Sequence, residues 1–111
     1  YKSTGKEKYV EVNAKQAKEI LTSIKPLILD VRTPNEYYNG HLKNAKLIPL
    51  SQLEQRISEI LEHKDKEVFI YCRSGNRSTV AAEILIKHGF KKIYNLITGI
   101  IDWKRMDYDI I

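Results

Sequence analysis

Short apolar runs alternate along this chain with segments of helical periodicity, and neither kind is long. Tyr9–Val12 reads as a strand. Asn13 then caps a helix, with Gln16 completing a capping box and Ala17, Ile20, Leu21 and Ile24 on one face. Pro26 closes it, and the apolar run Leu27–Val31, broken only by Asp30, suits a buried parallel strand. Thr33-Pro34-Asn35-Glu36 starts a short helix that Gly40 ends. Ala45–Leu50 predicts a brief strand, and Ser51-x-x-Glu54 opens a helix carrying Leu53, Ile57, Ile60 and Leu61. Glu67–Tyr71 is the clearest central strand, Ser78–His88 a helix stopped at Gly89, and Lys92–Leu96 a last strand before a short helix holding Trp103. This alternation predicts an α/β fold. Its mainly parallel sheet has about five strands, with helices on both faces and the ligand site beyond the strands' carboxyl ends.

A chain of 111 residues implies one domain, placed at residues 9–111 behind a polar arm over residues 1–8 that is expected to be loose. No apolar run approaches the ~20 residues of a membrane-spanning helix. The 19 Lys+Arg against 14 Asp+Glu are interleaved rather than gathered in a stripe, which argues against nucleic acid and suits a small anionic ligand. One cysteine, Cys72, excludes an internal disulfide. His41, His63 and His88 lack ligand spacing, so no metal site is expected. A monomer is expected. The chain begins at Tyr1 rather than Met, which favours export to the periplasm, with the cytoplasm as the alternative.

Only one strand-to-helix junction looks chemically loaded. Val68-Phe-Ile-Tyr-Cys72 delivers a thiol to the sheet edge, and Arg73, Ser74, Gly75, Asn76, Arg77 and Ser78 follow before the helix. A turn this tight can aim successive backbone N–H groups inward as an anion nest, and the helix adds its own unpaired N–H groups. A thiol there should ionise more easily than its ordinary value near ~8.5. A lone cysteine ending a buried strand is usually core filling. Two arginines around a glycine in the same turn favour a nucleophile instead. Arg77 is expected to fix the loop and hold an anionic donor through its paired N–H groups.

This loop resembles the active-site loop of the rhodanese sulfurtransferase family: a Cys, four intervening residues and an Arg, with Gly three places after the Cys. Leu29-Asp-Val-Arg32, Glu36-Tyr-x-x-Gly40-His-Leu42, Ala45 with Ile48-Pro49, and Leu96-x-x-Gly-Ile100-x-x-Trp103 resemble further segments of that family. The resemblance extends over nearly the whole chain. Thr98 departs from it, standing where the family usually has the first Gly of a pair. The resemblance implies sulfane sulfur transfer from thiosulfate or a related donor to cyanide or a thiol through a Cys72 persulfide, without cofactor or metal. It implies supporting roles for Asp30 and Arg32. His41 is expected to be a structural hydrogen-bonding group and Trp103 a core anchor.

Two rivals remain. Phosphatases and arsenate reductases also place Cys and Arg on an anion loop, but with five residues between them rather than four. A rhodanese-like binding module without catalysis would typically lack the cysteine.

Overall fold

The computed structural model describes residues 2–3 and 9–111. Its sheet has the order β1-β2-β6-β5-β3-β4, with β1 at Lys2–Ser3, β2 at Tyr9–Val12, β3 at Leu27–Asp30, β4 at Lys46–Leu47, β5 at Glu67–Tyr71 and β6 at Lys92–Leu96. The last five pair in parallel, as the alternation predicts; β1 adds an antiparallel edge to β2. The rest of the expected arm, residues 1 and 4–8, lies outside the described residues. No described helix is long and apolar enough to cross a membrane.

Among the described residues four helices cover the faces: α1 at Ala14–Ser23, α2 at Pro34–Tyr38, α3 at Asn76–Lys87 and α4 at Gly99–Arg105. Both expected capping boxes form, Asn13 with Gln16 and Thr33 with Glu36. The two-residue period of β5 splits the core. Val68, Ile70 and Cys72 face one way, against Ala81, Ala82 and Leu85 of α3. Phe69 and Tyr71 face the other, among Ala17 and Ile20 of α1 and Ile100 and Trp103 of α4. From β3 the chain leaves towards β4, and from β5 towards β6 on the opposite side. The strand order therefore reverses between β3 and β5, and the crevice beyond their carboxyl ends is where such sheets hold ligands.

Three local expectations need correction. The helix expected from Ser51 is a series of single 3-10 turns, Leu50–Gln52, Ile57–Glu59 and Leu61–His63. Leu53 and Ile60 are fully buried, but Leu61 is 46% exposed. This connection must carry the chain from the far end of β4 back to the start of β5. A 3-10 turn advances about 2.0 Å per residue against about 1.5 Å for an α-helix. Arg56 pins the turns by donating to Gln52 Oε1 at 2.9 Å and Glu59 Oε2 at 2.7 Å. The strand expected over Ala45–Leu50 shrinks to Lys46–Leu47, because Pro49 brings no N–H to the ladder. Helix α3 begins at Asn76, two residues earlier than expected, since Gly75 turns the chain at φ +103°.

The turn geometry sets an expected contrast. Ile60→Ala should cost about 2–5 kcal/mol, while Leu61→Ala should stay within about 0.5 kcal/mol. Urea unfolding of both variants checks it; equal losses would mean that both side chains share one buried helical face.

Candidate active site

Strand β5 ends at Tyr71, and Cys72 is buried at the mouth of the loop that follows. The Cys72 carbonyl accepts from Ile100 N at 2.9 Å and the Arg73 carbonyl from Ile101 N at 3.3 Å, so α4 anchors the loop's first two residues. Two glycines allow the close approach. A Cβ on Gly75 would lie 2.0 Å from the Ile97 carbonyl oxygen, and one on Gly99 2.0 Å from that of Arg73. Both have positive φ, +103° and +73°. Thr98, by contrast, sits at φ −90°, a conformation any residue adopts, and its hydroxyl donates to Asp102 Oδ2 at 2.7 Å. The backbone at this position therefore does not require glycine.

The loop curls around sulfur. Gly75 N donates to Cys72 Sγ at 3.1 Å and Ser78 N at 3.4 Å, while Ser78 Oγ lies 3.6 Å away. Burial pushes the thiol pKa up. Hydrogen bonding to the Ser78 hydroxyl and to the amides of Ser78, Gly75 and Ser74 outweighs it and brings the pKa below its ordinary value. In the protonated form Ser78 Oγ donates to the Gly75 carbonyl at 3.2 Å; on ionisation its hydrogen can swing to the thiolate. Arg73, Ser74 and Asn76 are exposed around the rim.

Arg77 reaches the loop, but its paired donors are already engaged. Nη1 donates to Glu36 Oε1 at 2.7 Å and Nη2 to Glu36 Oε2 at 2.9 Å. The fork expected to clasp a donor instead ties α3 to α2. Hydrogen bonding to Arg77, opposed by burial and helped by Thr33, holds the Glu36 carboxyl at about 2. From the sequence Glu36 reads as part of a helix start, with nothing to name its ion-pair partner. Its place in the family-like Glu-Tyr-x-x-Gly-His segment was the available signal.

Asp30 and Arg32 do come together, behind the loop. Arg32 Nη2 donates to Asp30 Oδ2 at 2.6 Å and to the Gly40 carbonyl at 2.8 Å. Tyr71 Oη donates to the same Asp30 oxygen at 2.6 Å and accepts from Leu42 N at 3.1 Å. Burial first, then Asp30, pushes the Tyr71 phenol above its ordinary range. His41 stacks on Tyr37 with Nδ1 2.9 Å from that residue's carbonyl, and Trp103 is buried with Nε1 donating to the Asp109 carbonyl at 2.9 Å. Among the described residues, neither is hydrogen-bonded to Cys72 Sγ. Asn95 was missed. Fully buried in β6, it donates to Thr79 Oγ1 at 3.2 Å, and Thr79 donates to the Gly75 carbonyl at 2.8 Å.

A family model described as the rhodanese-like domain matches residues 13–106. The chain belongs to that family. A sulfurtransferase of Allochromatium vinosum is 41% identical over 85 residues, covering 77% of this chain and 78% of that one. YqhL of Bacillus subtilis is 48% identical over 79 residues, covering 71% of this chain and 61% of that protein. A tRNA uridine(34) hydroxylase of Hamiltonella defensa is 34% identical over 98 residues, covering 85% of this chain but 28% of its own length. The crystal structure of a rhodanese-related protein from Thermoplasma volcanium superposes with a TM-score of 0.82 at 31% identity, covering 93% of this chain and 98% of that one. The rhodanese-like domain thus recurs both in relatives of its own size and as a minor part of a larger enzyme.

The Glu36–Arg77 bridge predicts a pH signature. A carboxyl lowered on folding from 4.5 to about 2 contributes stability above 4.5 that is lost as pH falls towards 2. The stability difference between the wild type and Glu36→Gln should therefore be constant above that window and shrink through it. Thermal melts of both proteins across the window check this, and a difference independent of pH would mean that the bridge does not form.

Proposed function

We propose that this rhodanese-like domain is a thiosulfate sulfurtransferase with Cys72 as its nucleophile. The observation that carries the reading is the set of donors converging on Cys72 Sγ, with Gly75 N at 3.1 Å and Ser78 N at 3.4 Å. The Cys72 thiolate attacks the outer sulfur of thiosulfate, and the sulfur–sulfur bond of the donor breaks. Sulfite leaves with the electron pair, and Cys72 becomes a persulfide. Cyanide or a thiolate then attacks the terminal sulfur, forming thiocyanate or a new persulfide and returning Cys72 as thiolate. Both steps keep a negative charge at the loop's centre, where fixed N–H dipoles stabilise it without reorganising. Ser78 serves both states by turning one hydroxyl. Neither step calls for a metal or organic cofactor.

Arg77 supports this reading over phosphoryl transfer. A phosphatase loop needs its arginine fork free for the phosphoryl oxygens, whereas here both arms are bound to Glu36. The loop also has four residues, Arg73–Asn76, between Cys72 and Arg77, a ring suited to one sulfur atom. Arg77 then acts by holding the loop against α2. Asp30, Arg32 and Tyr71 brace the strand ends beneath it.

Intact-mass spectrometry tests the proposal. Thiosulfate should add one sulfur atom to the wild type and cyanide should remove it, while Cys72→Ser should stay unchanged. A wild-type mass that does not move would overturn the assignment, as would hydrolysis of an aryl phosphate lost in Cys72→Ser. Arg77→Lys keeps the charge but loses the fork, so sulfur-transfer efficiency should fall by about tenfold or more. Steady-state kinetics on folded protein measures it.

A further inference from the structure

Asn95 is a polar residue in an apolar place. It is fully buried in β6, in register with Glu11 of β2 on one side and Ile70 of β5 on the other. Asparagine is depleted from strands, and here one end of its amide goes unanswered. Among the described residues, Oδ1 is the one buried side-chain polar atom without a hydrogen-bond partner. A leucine of similar volume would fill the position with no orphan acceptor, so packing does not account for Asn95. The other end of the amide meets Thr79 on α3 and through it reaches the sulfur loop.

Chemistry fixes the direction of each hydrogen bond in this set. The Gly75 carbonyl can only accept, so the Thr79 hydroxyl, 2.8 Å away, places its one hydrogen there. Thr79 Oγ1 must then accept from the amide at 3.2 Å, which makes the near atom of Asn95 Nδ2 and leaves Oδ1 as the orphan. The Gly75 carbonyl therefore receives three donors: Thr79 Oγ1 at 2.8 Å, Thr79 N at 3.1 Å and Ser78 Oγ at 3.2 Å. A carbonyl oxygen has two lone pairs. The Ser78 hydroxyl is the farthest of the three donors and the surplus one. It is also the one that meets sulfur, with Oγ 3.6 Å from Cys72 Sγ.

We infer that Thr79 and Asn95 are positioning residues for the sulfur chemistry, Asn95 fixing the Thr79 hydroxyl on the Gly75 carbonyl so that the Ser78 hydroxyl is free to turn to Cys72. The inference rests on the reading of Cys72 as the sulfur-transfer nucleophile and names what tunes it. In the thiol form Cys72 Sγ donates to Ser78 Oγ, and Ser78 donates onward to the Gly75 carbonyl. When the thiol proton leaves, the Ser78 hydrogen turns to the thiolate, and Thr79 keeps both lone pairs of the carbonyl occupied. Without the Thr79 hydroxyl, the same turn would leave the carbonyl one donor short. Ser78 would then stay on the carbonyl, and the thiolate would lose a hydrogen bond. A helical threonine divides between two rotamers, one of which bonds the carbonyl a turn back. The Asn95 amide holds Thr79 in that one.

Burial raises the Cys72 pKa, and the Ser78 hydroxyl is the strongest of the groups that lower it. Ser78, Thr79 and Asn95 carry no charge, so substitutions among them leave the surrounding charges in place. Arg77 of α3 is held by Glu36 of α2, Asp30 of β3 by Arg32 and the Tyr71 hydroxyl, and Asp102 of α4 by Arg105. Arg73 on the loop and Lys104 on α4 are exposed.

Cys72 is the sole cysteine, so the pH dependence of iodoacetamide alkylation reads its pKa directly. Thr79→Val keeps the side chain's shape and removes the hydroxyl. It should raise that pKa by about half a unit to one unit, with Thr79→Ser close to the wild type. Asn95→Leu should raise it by a smaller amount and leave the melting temperature unchanged or higher, because the orphan acceptor is gone. In a Ser78→Ala background Thr79→Val should move the pKa no further, since it acts through Ser78. The pH profile of sulfur loading from thiosulfate should shift with the pKa.

An unmoved pKa in folded Thr79→Val would overturn the inference. So would a shift that persists in full beside Ser78→Ala, or one that Thr79→Ser shares. Should Thr79→Val not fold, Asn95→Leu decides: a lower melting temperature with an unmoved pKa would mark Asn95 as structural only. If thiosulfate loads no sulfur on the wild type while the pKa series behaves as stated, the sulfurtransferase reading fails and the positioning of Ser78 stands.

Discussion

The close contact between the Cys72–Gly75 loop and the Ile97–Gly99 turn governs the rest of the site. Gly75 presses on the Ile97 carbonyl and Gly99 on the Arg73 carbonyl, each at a distance that leaves no room for a Cβ. Held this way, the loop closes within hydrogen-bonding distance of Cys72 Sγ and enters α3 without a side-chain cap. Were the contact looser, the thiol would remain a buried apolar group with a raised pKa. The hydrogen bonds that reverse this tendency come from backbone whose shape is set by a neighbouring segment more than twenty residues away.

Beneath the loop, a buried polar network does what an apolar core could not. Asp30 receives the Arg32 guanidinium and backbone amide together with the Tyr71 hydroxyl. Tyr71 in turn satisfies Leu42 N, and Arg32 the Gly40 carbonyl. Each of these buried groups therefore has a partner, which is the condition for such a group to be tolerated. The network joins the ends of β3 and β5, where the strand order reverses, to the segment that follows α2. It thereby carries the same α2 whose Glu36 grips Arg77. The Cys72 loop is consequently braced on two sides, by α4 through backbone bonds and by α2 through an ion pair.

Local chemistry explains which elements were legible. The capping boxes at Asn13 and Thr33 declare themselves within four residues, and β5 declares itself by composition. Thr98 looked like a departure only because a glycine pair was expected; its φ of −90° requires none. The segment after Pro49 misled because Leu53, Ile57, Ile60 and Leu61 satisfy helical spacing, while the distance the connection must span favours 3-10 turns. Asn95 gave no warning, since its partner Thr79 comes from another element.

The sequence by itself determined the α/β alternation, the cysteine at the end of its central strand, and the glycine that lets four residues close around sulfur. These follow from periodicity, capping and backbone stereochemistry, which act over a few positions. Tertiary structure alone decided what Arg77 binds, because its partner Glu36 lies 41 positions away along the chain. It also decided which cations stay unpaired: three arginines near the site find carboxylates, whereas among the described residues Arg73 and Lys104 have none. Ion pairing depends on distances between side chains from separate elements, and those distances exist only once β3, β5 and the four helices have packed.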